Sequence, residues 1–423
     1  MAFDQGLSGL SAASTELNVI GNNIANSSTV GFKSSSVQFA DVYATSLGGG
    51  GSEPVGIGVS ASAIAQQFNQ GTITTDNNPL DIAINGEGFY QLSNNGTTSY
   101  TRTGQFHVDA NGQIVTANGA NLQGYNASAN GVLNTGVTTN LVINTANLPP
   151  KITSTVSTGL NLDSSSAVLP AAGFSSTNPA TFNYSTSVTV YDSLGNSHAL
   201  QTYYVNQGPV AGEDQWNVYA TMDGTPIGYT PPAAPVAVGK FSFTSAGALD
   251  PLTTTPITNP PFSVALSIPL TNGATSPQAL SISYTGTTQY GTTSGVNAQA
   301  QNGYASGQLT QFSAGATGII TGTYSNGQTQ TLGQIVMDNF VNPGGLASAG
   351  NNSWYSTSAS GAPLLGTPGS GSMGTLQSSA VENSTTDLTQ ELVTMITAQQ
   401  DYQANAQTIK TQDQITQTLV TLR

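Results

Sequence analysis

The side chains able to do chemistry are few and badly spaced for it. His107 and His198 are the two histidines, far apart in the chain, and there is no cysteine. Thiolate nucleophiles, disulfides and thiolate metal sites are therefore excluded, and a transition-metal centre lacks ligands. Serine, histidine and aspartate all occur, yet no Gly-x-Ser-x-Gly elbow precedes a helix, so a hydrolase triad has no support. Asp109-Ala110-Asn111-Gly112 opens like a calcium loop without the later carboxylates, and a hairpin turn is the better reading. Gly86-Glu87-Gly88 and the run Gly48-Gly49-Gly50-Gly51 lack the Lys-Ser/Thr or strand-to-helix context of a nucleotide loop and read as turns and hinges. Each histidine lies in a strand pattern, where a structural role is expected. The sequence thus offers no catalytic, cofactor-binding or metal-ligating residue, and the expected function lies in its surfaces.

The elements that carry those surfaces are at the two ends. Phe3, Leu10, Leu17 and Ile24 repeat every seven residues, with Leu7, Ala13 and Ile20 on the same side, which predicts an amphipathic helix with a coiled-coil seam. It should stop at Ala25-Asn26-Ser27-Ser28. After Gly374 there is no Gly or Pro, and Leu388, Leu392, Met395, Ala398, Tyr402, Ala406 and Ile409 form a second stripe that continues through Ile415, Leu419 and Leu422. Ser384 to Asp387 are its candidate caps, and Arg423 suits the negative end of its dipole. The two stripes can zip together. Their polar faces carry uncharged Gln399, Gln400, Gln403, Gln407, Gln412 and Gln414, which cost less to bury between neighbouring copies than charges would. Phe3, Leu7, Leu10, Leu17, Ile20, Ile24, Leu388, Leu392, Met395, Tyr402, Ile409, Ile415, Leu419 and Leu422 are therefore the expected polymerisation seam.

Everything between is a long excursion. Short alternating runs begin at Ile64, with strand, turn, strand readings at Ile82-Ala83-Ile84/Phe89-Tyr90-Gln91-Leu92 and at Phe106-His107-Val108/Gln113-Ile114-Val115. From Val142 to about Tyr284 the composition shifts to Thr, Pro and Ala, with strands at 187–191, 200–205, 216–219 and 262–270. Pro231-Pro232 and Pro260-Pro261 suit loops and edge strands. After Gly286 the first pattern resumes. The expected fold is mainly β with long terminal α-helices: two β domains in tandem, nested between paired N- and C-terminal coiled-coil helices. The expected divisions are 1–30 with 380–423 (helical), 31–70 with 359–379 (connector), 71–144 with 285–358 (inner β domain) and 145–284 (outer, inserted β domain).

Composition bounds the partners. Only 6% of the 423 residues are charged and the net charge is −14, so the polar surface must be mostly Ser, Thr, Asn, Gln and Gly. Such a surface can pack against copies of itself with few ions to desolvate. Lys33, Arg102, Lys151, Lys240, Lys410 and Arg423 are too few and scattered to track phosphates, so nucleic acid is not an expected partner. No stretch approaches the ~20 apolar residues of a membrane span. The first residues lack the basic, then apolar, pattern of a cleavable secretory signal, so an exported chain would need another route.

Several motifs carry a family resemblance. Gly21-Asn22-Asn23-Ile24-Ala25-Asn26-Ser27 followed by Val30-Gly31-Phe32-Lys33 resembles the amino-terminal signature of bacterial flagellar axial (rod and hook) proteins. Asn405-Ala406-Gln407-Thr408-Ile409-Lys410-Thr411 through Leu422 is similar to the carboxy-terminal helix of the hook-type members. The likeness continues at Pro79-Leu80-Asp81-Ile82-Ala83-Ile84, Gly88-Phe89-Tyr90, Tyr100-Thr101-Arg102, Val190 to Asn196 and Leu332 to Val336, and is sparse from about Asn144 to Ser283. It implies a structural, non-enzymatic subunit without cofactor, located in the hook outside the cell between basal body and filament, polymerising with itself into a curved flexible tube that acts as a universal joint. It also implies distal rod, hook cap and hook–filament junction proteins and the flagellar export apparatus as partners. Phe3 and Leu7 have the Phe-x-x-x-aliphatic spacing of a candidate export motif, although the helical stripe alone also gives it. A distal rod subunit is the nearest alternative, and a surface adhesin or β-solenoid lyase the alternative from another class. The large central insertion favours the hook type, and the short repeat that a solenoid needs is absent.

Overall fold

A computed structural model describes residues 2–42, 56–170, 173–210, 212–228, 235–250 and 262–421. The glycine run, Pro231-Pro232, Pro260-Pro261, Leu422 and Arg423, all part of the sequence expectations, lie outside the described residues. Helix α1 spans Ala2–Ala25 and helix α2 spans Leu388–Thr421, and nearly all regular structure between them is strand. The mainly β fold with a helix at each end is therefore observed.

The chain divides into two compact units. The first comprises Met1–Thr145, Thr310–Thr323 and Thr329–Arg423. In it, strands β1 (Ser35–Val42) and β2 (Gly58–Gln66) form a two-stranded antiparallel hairpin in the stretch expected to be a connector. Small alternating residues such as Ser60-Ala61-Ser62-Ala63 give that stretch little apolar signal, although they fit a pleated ribbon. Strand β3 (Ile73–Thr75) pairs with Ala380–Glu382, and β4 (Ile82–Asn85) pairs with Thr375–Ser378. Strand β5 (Phe89–Asn94) pairs with Thr97–Thr101, Asn121–Asn126 and Met337–Asn339. The expected hairpin between β4 and β5 does not form. Its turn is held open because Gly86 and Gly88 direct their carbonyls to the Arg102 guanidinium, and each strand takes a partner from the distant return segment.

The hairpin of Phe106–Val108 with Ile114–Thr116 does form. At its turn the Asp109 carboxylate accepts hydrogen bonds from the backbone N–H groups of Asn111 and Gln113, which is a turn's bonding pattern. The core of this unit includes Phe89, Tyr100, Phe340 and Trp354, packed edge to face with ring centroids 4.8–5.8 Å apart.

The second unit comprises Ala146–Leu309 with Tyr324–Gln328. Its two sheets are built around Thr155–Asp163 and around the long pair Ser197–Val210 and Glu213–Met222. Trp216, Tyr204, Phe241, Phe243 and Tyr284 fill its core. The return expected at 285 comes later, because Thr288–Tyr290 and Gly295–Gln301 both pair with Thr155–Asp163. Their polar sequences, such as Asn297-Ala298-Gln299-Ala300, carry no composition shift that would mark a boundary. The ends of this unit meet at the antiparallel bridge of Leu148 with Gly307.

Candidate assembly site: the helical pair and its base

Helix α1 packs against α2 in antiparallel register. A Cβ built on Gly6 would stand 3.0 Å from Ile409 Cγ1, and one built on Gly9 would stand 2.5 Å from Asn405 Oδ1. Near the other end, Asn23 Nδ2 donates to Glu391 Oε1 at 2.9 Å. Gly6, Gly9, Ala13, Ile20 and Asn23 thus line the α1 side of the contact, alternating by three and four residues as a seam must. Ala398, the one buried residue among the described part of α2, lies midway along the other side. Small side chains let the axes approach closely. Glu16 falls in the same row, and burial together with the nearby Asp401 carboxylate holds its carboxyl above the usual range.

This changes the role of the expected stripes. Phe3, Leu7, Leu388 and Leu392 are 47%, 52%, 47% and 45% exposed, so they are not the contact between α1 and α2. Ile415, Leu419 and Tyr402 are exposed as well, whereas Leu10, Leu17, Ile24, Met395 and Ile409 are half-buried and Ile20 is buried. The physical reason is that glycine and alanine, invisible to a hydrophobic-periodicity reading, permit the closest packing and take the seam. At about 100° per residue, Phe3, Leu7, Leu10 and Leu17 fall beside that seam on α1, and Leu388, Leu392 and Met395 fall beside it on α2. In an antiparallel pair these two flanks lie on one side. The other flank of α1 carries the hairpin: Ser8 Oγ accepts from Val59 N, and Gln5 Nε2 donates to the Gly56 carbonyl at 2.6 Å.

The base of the pair is built from the amino-terminal signature. Asn23, buried, donates to the Ser35 carbonyl at 2.8 Å and accepts from the Ser35 N–H at 3.0 Å, so one side chain fixes the start of β1 and reaches α2. Gly31 has φ +70° with Thr103 backbone 2.9 Å from any Cβ, a position that only glycine fills without strain. Its N–H donates to the Glu382 carbonyl. Lys33 Nζ reaches Glu382 Oε1 at 2.6 Å, with neither side chain exposed, and also donates to the Asn69 carbonyl. Glu382 Oε1 accepts from Gly71 N as well, with Arg102 Nη1 3.7 Å away. Burial pulls both the Lys33 amine and the Arg102 guanidinium below their ordinary values, and Glu382 opposes that pull in each case. Asp387 caps α2, accepting from the N–H groups of Thr389 and Gln390, within the expected capping stretch.

Asn23 entered the sequence reading only as part of the amino-terminal signature, and Glu382 and Glu391 were not singled out by sequence reasoning. The available signal was scarcity: of only six basic residues in the chain, Lys33 and Arg102 both sit inside the resembling motifs that lie between the two helices. Among the described residues no cluster of three or more His, Cys, Asp or Glu could hold a metal ion.

Profiles of known families match at both ends and in the middle. The model described as flagella basal body rod protein matches residues 3–33, and that of the flagellar basal body rod FlgEFG protein C-terminal matches residues 377–422. The flagellar hook protein FlgE/F/G D1 domain matches 83–159, and the flagellar basal body protein FlaE D2 domain matches 161–304. Flagellar hook protein FlgE of Escherichia coli is 42% identical over 427 residues, covering 100% of both chains. This chain belongs to the flagellar hook protein family. The FlgE of Salmonella typhimurium is likewise 42% identical over the full length of both chains, and that of Treponema pallidum is 33% identical over 99% of this chain and 98% of its own. A crystal structure of a Helicobacter pylori flagellar hook protein shares the fold, with a TM-score of 0.53 and 15% identity, over 73% of this chain and 100% of that one. Hook-family membership accounts for the division between helical ends, which match rod and hook profiles alike, and a central region matched by its own domain profile.

Proposed function

We propose that the chain is a structural subunit that polymerises into the curved, flexible tube of the flagellar hook, and that the one-sided apolar face of its helical pair is buried between copies. The observation that carries this reading is the exposure of Phe3, Leu7, Leu388 and Leu392 on helices whose own contact is made mostly by glycine, alanine and amide groups, with Ile20 and Ile409. A pair with so thin a core is finished only by neighbours, and head-to-tail contacts that do not close generate a helical filament. In register, about the last two turns of α2 run past the start of α1. Ile415 and Leu419 are thereby left for an adjacent copy.

The tube works as a universal joint between rod and filament, with distal rod, hook cap and junction proteins as its end partners. The subunit is exported beyond the cell body by the flagellar export apparatus. Phe3 and Leu7, exposed one turn apart, are available to that apparatus before assembly. The role is mechanical rather than catalytic. The second unit tunes tube shape through weakly charged contacts that can be exchanged at little cost. Electron microscopy of purified polymer tests the reading: curved tubes are expected, while straight rods or no polymer would overturn it.

A further inference from the structure

In the second unit, His198 stands between two carboxylates. Its Nδ1 lies 2.6 Å from Asp223 Oδ2 and its Nε2 lies 3.3 Å from Asp192 Oδ2. The Asp192 side chain is fully buried, His198 is nearly so, and Asp223 is half-exposed. Three segments converge here. Asp192 to Asn196 form the turn between Tyr184–Tyr191 and Ser197–Val210, and Asp223 follows Glu213–Met222 at a left-handed φ of +49°. Asn272, between Ser263–Ile268 and Gln278–Ser283, donates to Asp192 Oδ2 at 2.6 Å. The Asp192 carboxylate also accepts from the N–H groups of Leu194 and Asn196 and from the Asn196 side chain. Asp223 Oδ1 accepts from Ala199 N.

Ionised carboxylates only accept hydrogen bonds, and a neutral imidazole has one N–H. A ring with both nitrogens facing carboxylate oxygens is therefore satisfied only when both are protonated. In the neutral ring, one nitrogen lone pair would point at a carboxylate. We propose that His198 is a proton-operated clasp: its doubly protonated ring ties the Asp192 turn to the Asp223 turn, and loss of one proton releases the Asp192 side. That side is the longer contact, and Asp192 keeps four other donors when it goes. The Asp223 side is the shorter and retains its N–H. Asp192 and Asp223 are the charged groups facing the ring; Asn196 and Asn272, the other side chains on Asp192, are neutral.

Burial pulls the imidazole down, but the hydrogen bonds to Asp223 and Asp192 prevail and hold it above its ordinary 6.5. A histidine raised in this way adds stability that is complete below its unfolded value and lost as pH rises through its folded value. The clasp lies within one unit of one chain and does not depend on how copies assemble.

The test uses full-length monomer with histidine labelled at ring Cε1, followed by NMR across pH, with His107→Gln assigning the remaining signal to His198. The expected midpoint lies above 6.5 and falls in Asp223→Asn, a change the left-handed backbone tolerates. The heat transition of the second unit should drop as pH rises through that midpoint, and His198→Gln should flatten the dependence. A wild-type midpoint at or below 6.5, or one unmoved by Asp223→Asn, would overturn the clasp.

Discussion

The Lys33 ammonium and the Glu382 carboxylate, 349 positions apart in the chain, meet at 2.6 Å in the first unit with water excluded from both. The pair joins the segment leaving α1 to the segment entering α2. Because Glu382 also holds Gly71 N and faces Arg102, its removal leaves two buried cations without their anion. Glu382→Ala should destabilise this unit by about 3–5 kcal/mol, read as a lowered first-unit transition in calorimetry. The double variant Lys33→Met/Glu382→Leu should lose less than the single one, because the lysine charge is removed together with its partner.

Much of the architecture was legible in the sequence because it rests on periodicities that burial enforces. The stop of α1 at Ala25, the capping stretch at Asp387 and the Phe106–Ile114 hairpin follow from local patterns. The pairing of β4 with Thr375–Ser378 was not legible, since register between segments so distant is chosen by tertiary contacts. The seam of the helical pair was misread for a related reason. Gly6, Gly9 and Asn23 carry no apolar signal, yet close approach and a buried amide clamp need those residue types. Most of the large residues that gave the signal stay exposed or half-buried in the single chain.

That distinction gives a direct expectation for the exposed flank. Leu388→Asp or Leu392→Asp should leave the monomer folded, since each side chain is about half exposed. Polymerisation should fail, because a charge buried without a partner costs several kcal/mol at every subunit. Sedimentation and electron microscopy measure this, with circular dichroism as the folding control.

At the seam itself, the order of effects depends on size. Gly9→Ala should be nearly neutral, because the Asn405 amide that it meets is the end of a flexible side chain and can turn aside. Gly9→Leu cannot be accommodated so cheaply and should separate the helices, costing about 1–3 kcal/mol as overpacking does. The readout is the fraction of chain entering tubes at a fixed concentration.

Asp338 makes the stability of the first unit depend on pH across the mildly acidic range. Burial pushes its carboxyl up to about 6 from an ordinary 3.8. The folded form therefore keeps a proton that the unfolded chain has lost, and stability falls as pH rises from near 4 to near 6, then levels off. The loss across that window is about 3 kcal/mol. Asp81 is also raised to about 6 and adds its own dependence, so the informative quantity is a difference. Asp338→Asn should be more stable than wild type above pH 6 and should lose that advantage near pH 4 in denaturant titrations.

Assembly by this route requires a helical pair that is incomplete within one chain. Ordering a residue costs ~1–2 kcal/mol, and the pair buries few apolar side chains, among them Ala12, Ala13, Ile20 and Ala398, to offset it. Amide hydrogen exchange on monomer and on assembled tube measures this residue by residue. Fast exchange is expected over 2–25 and 388–421 in the monomer and strong protection of the same amides in the tube, with the β units protected in both. Helices already protected in the monomer, or still exchanging fast in the tube, would show that neighbouring copies do not complete the pair.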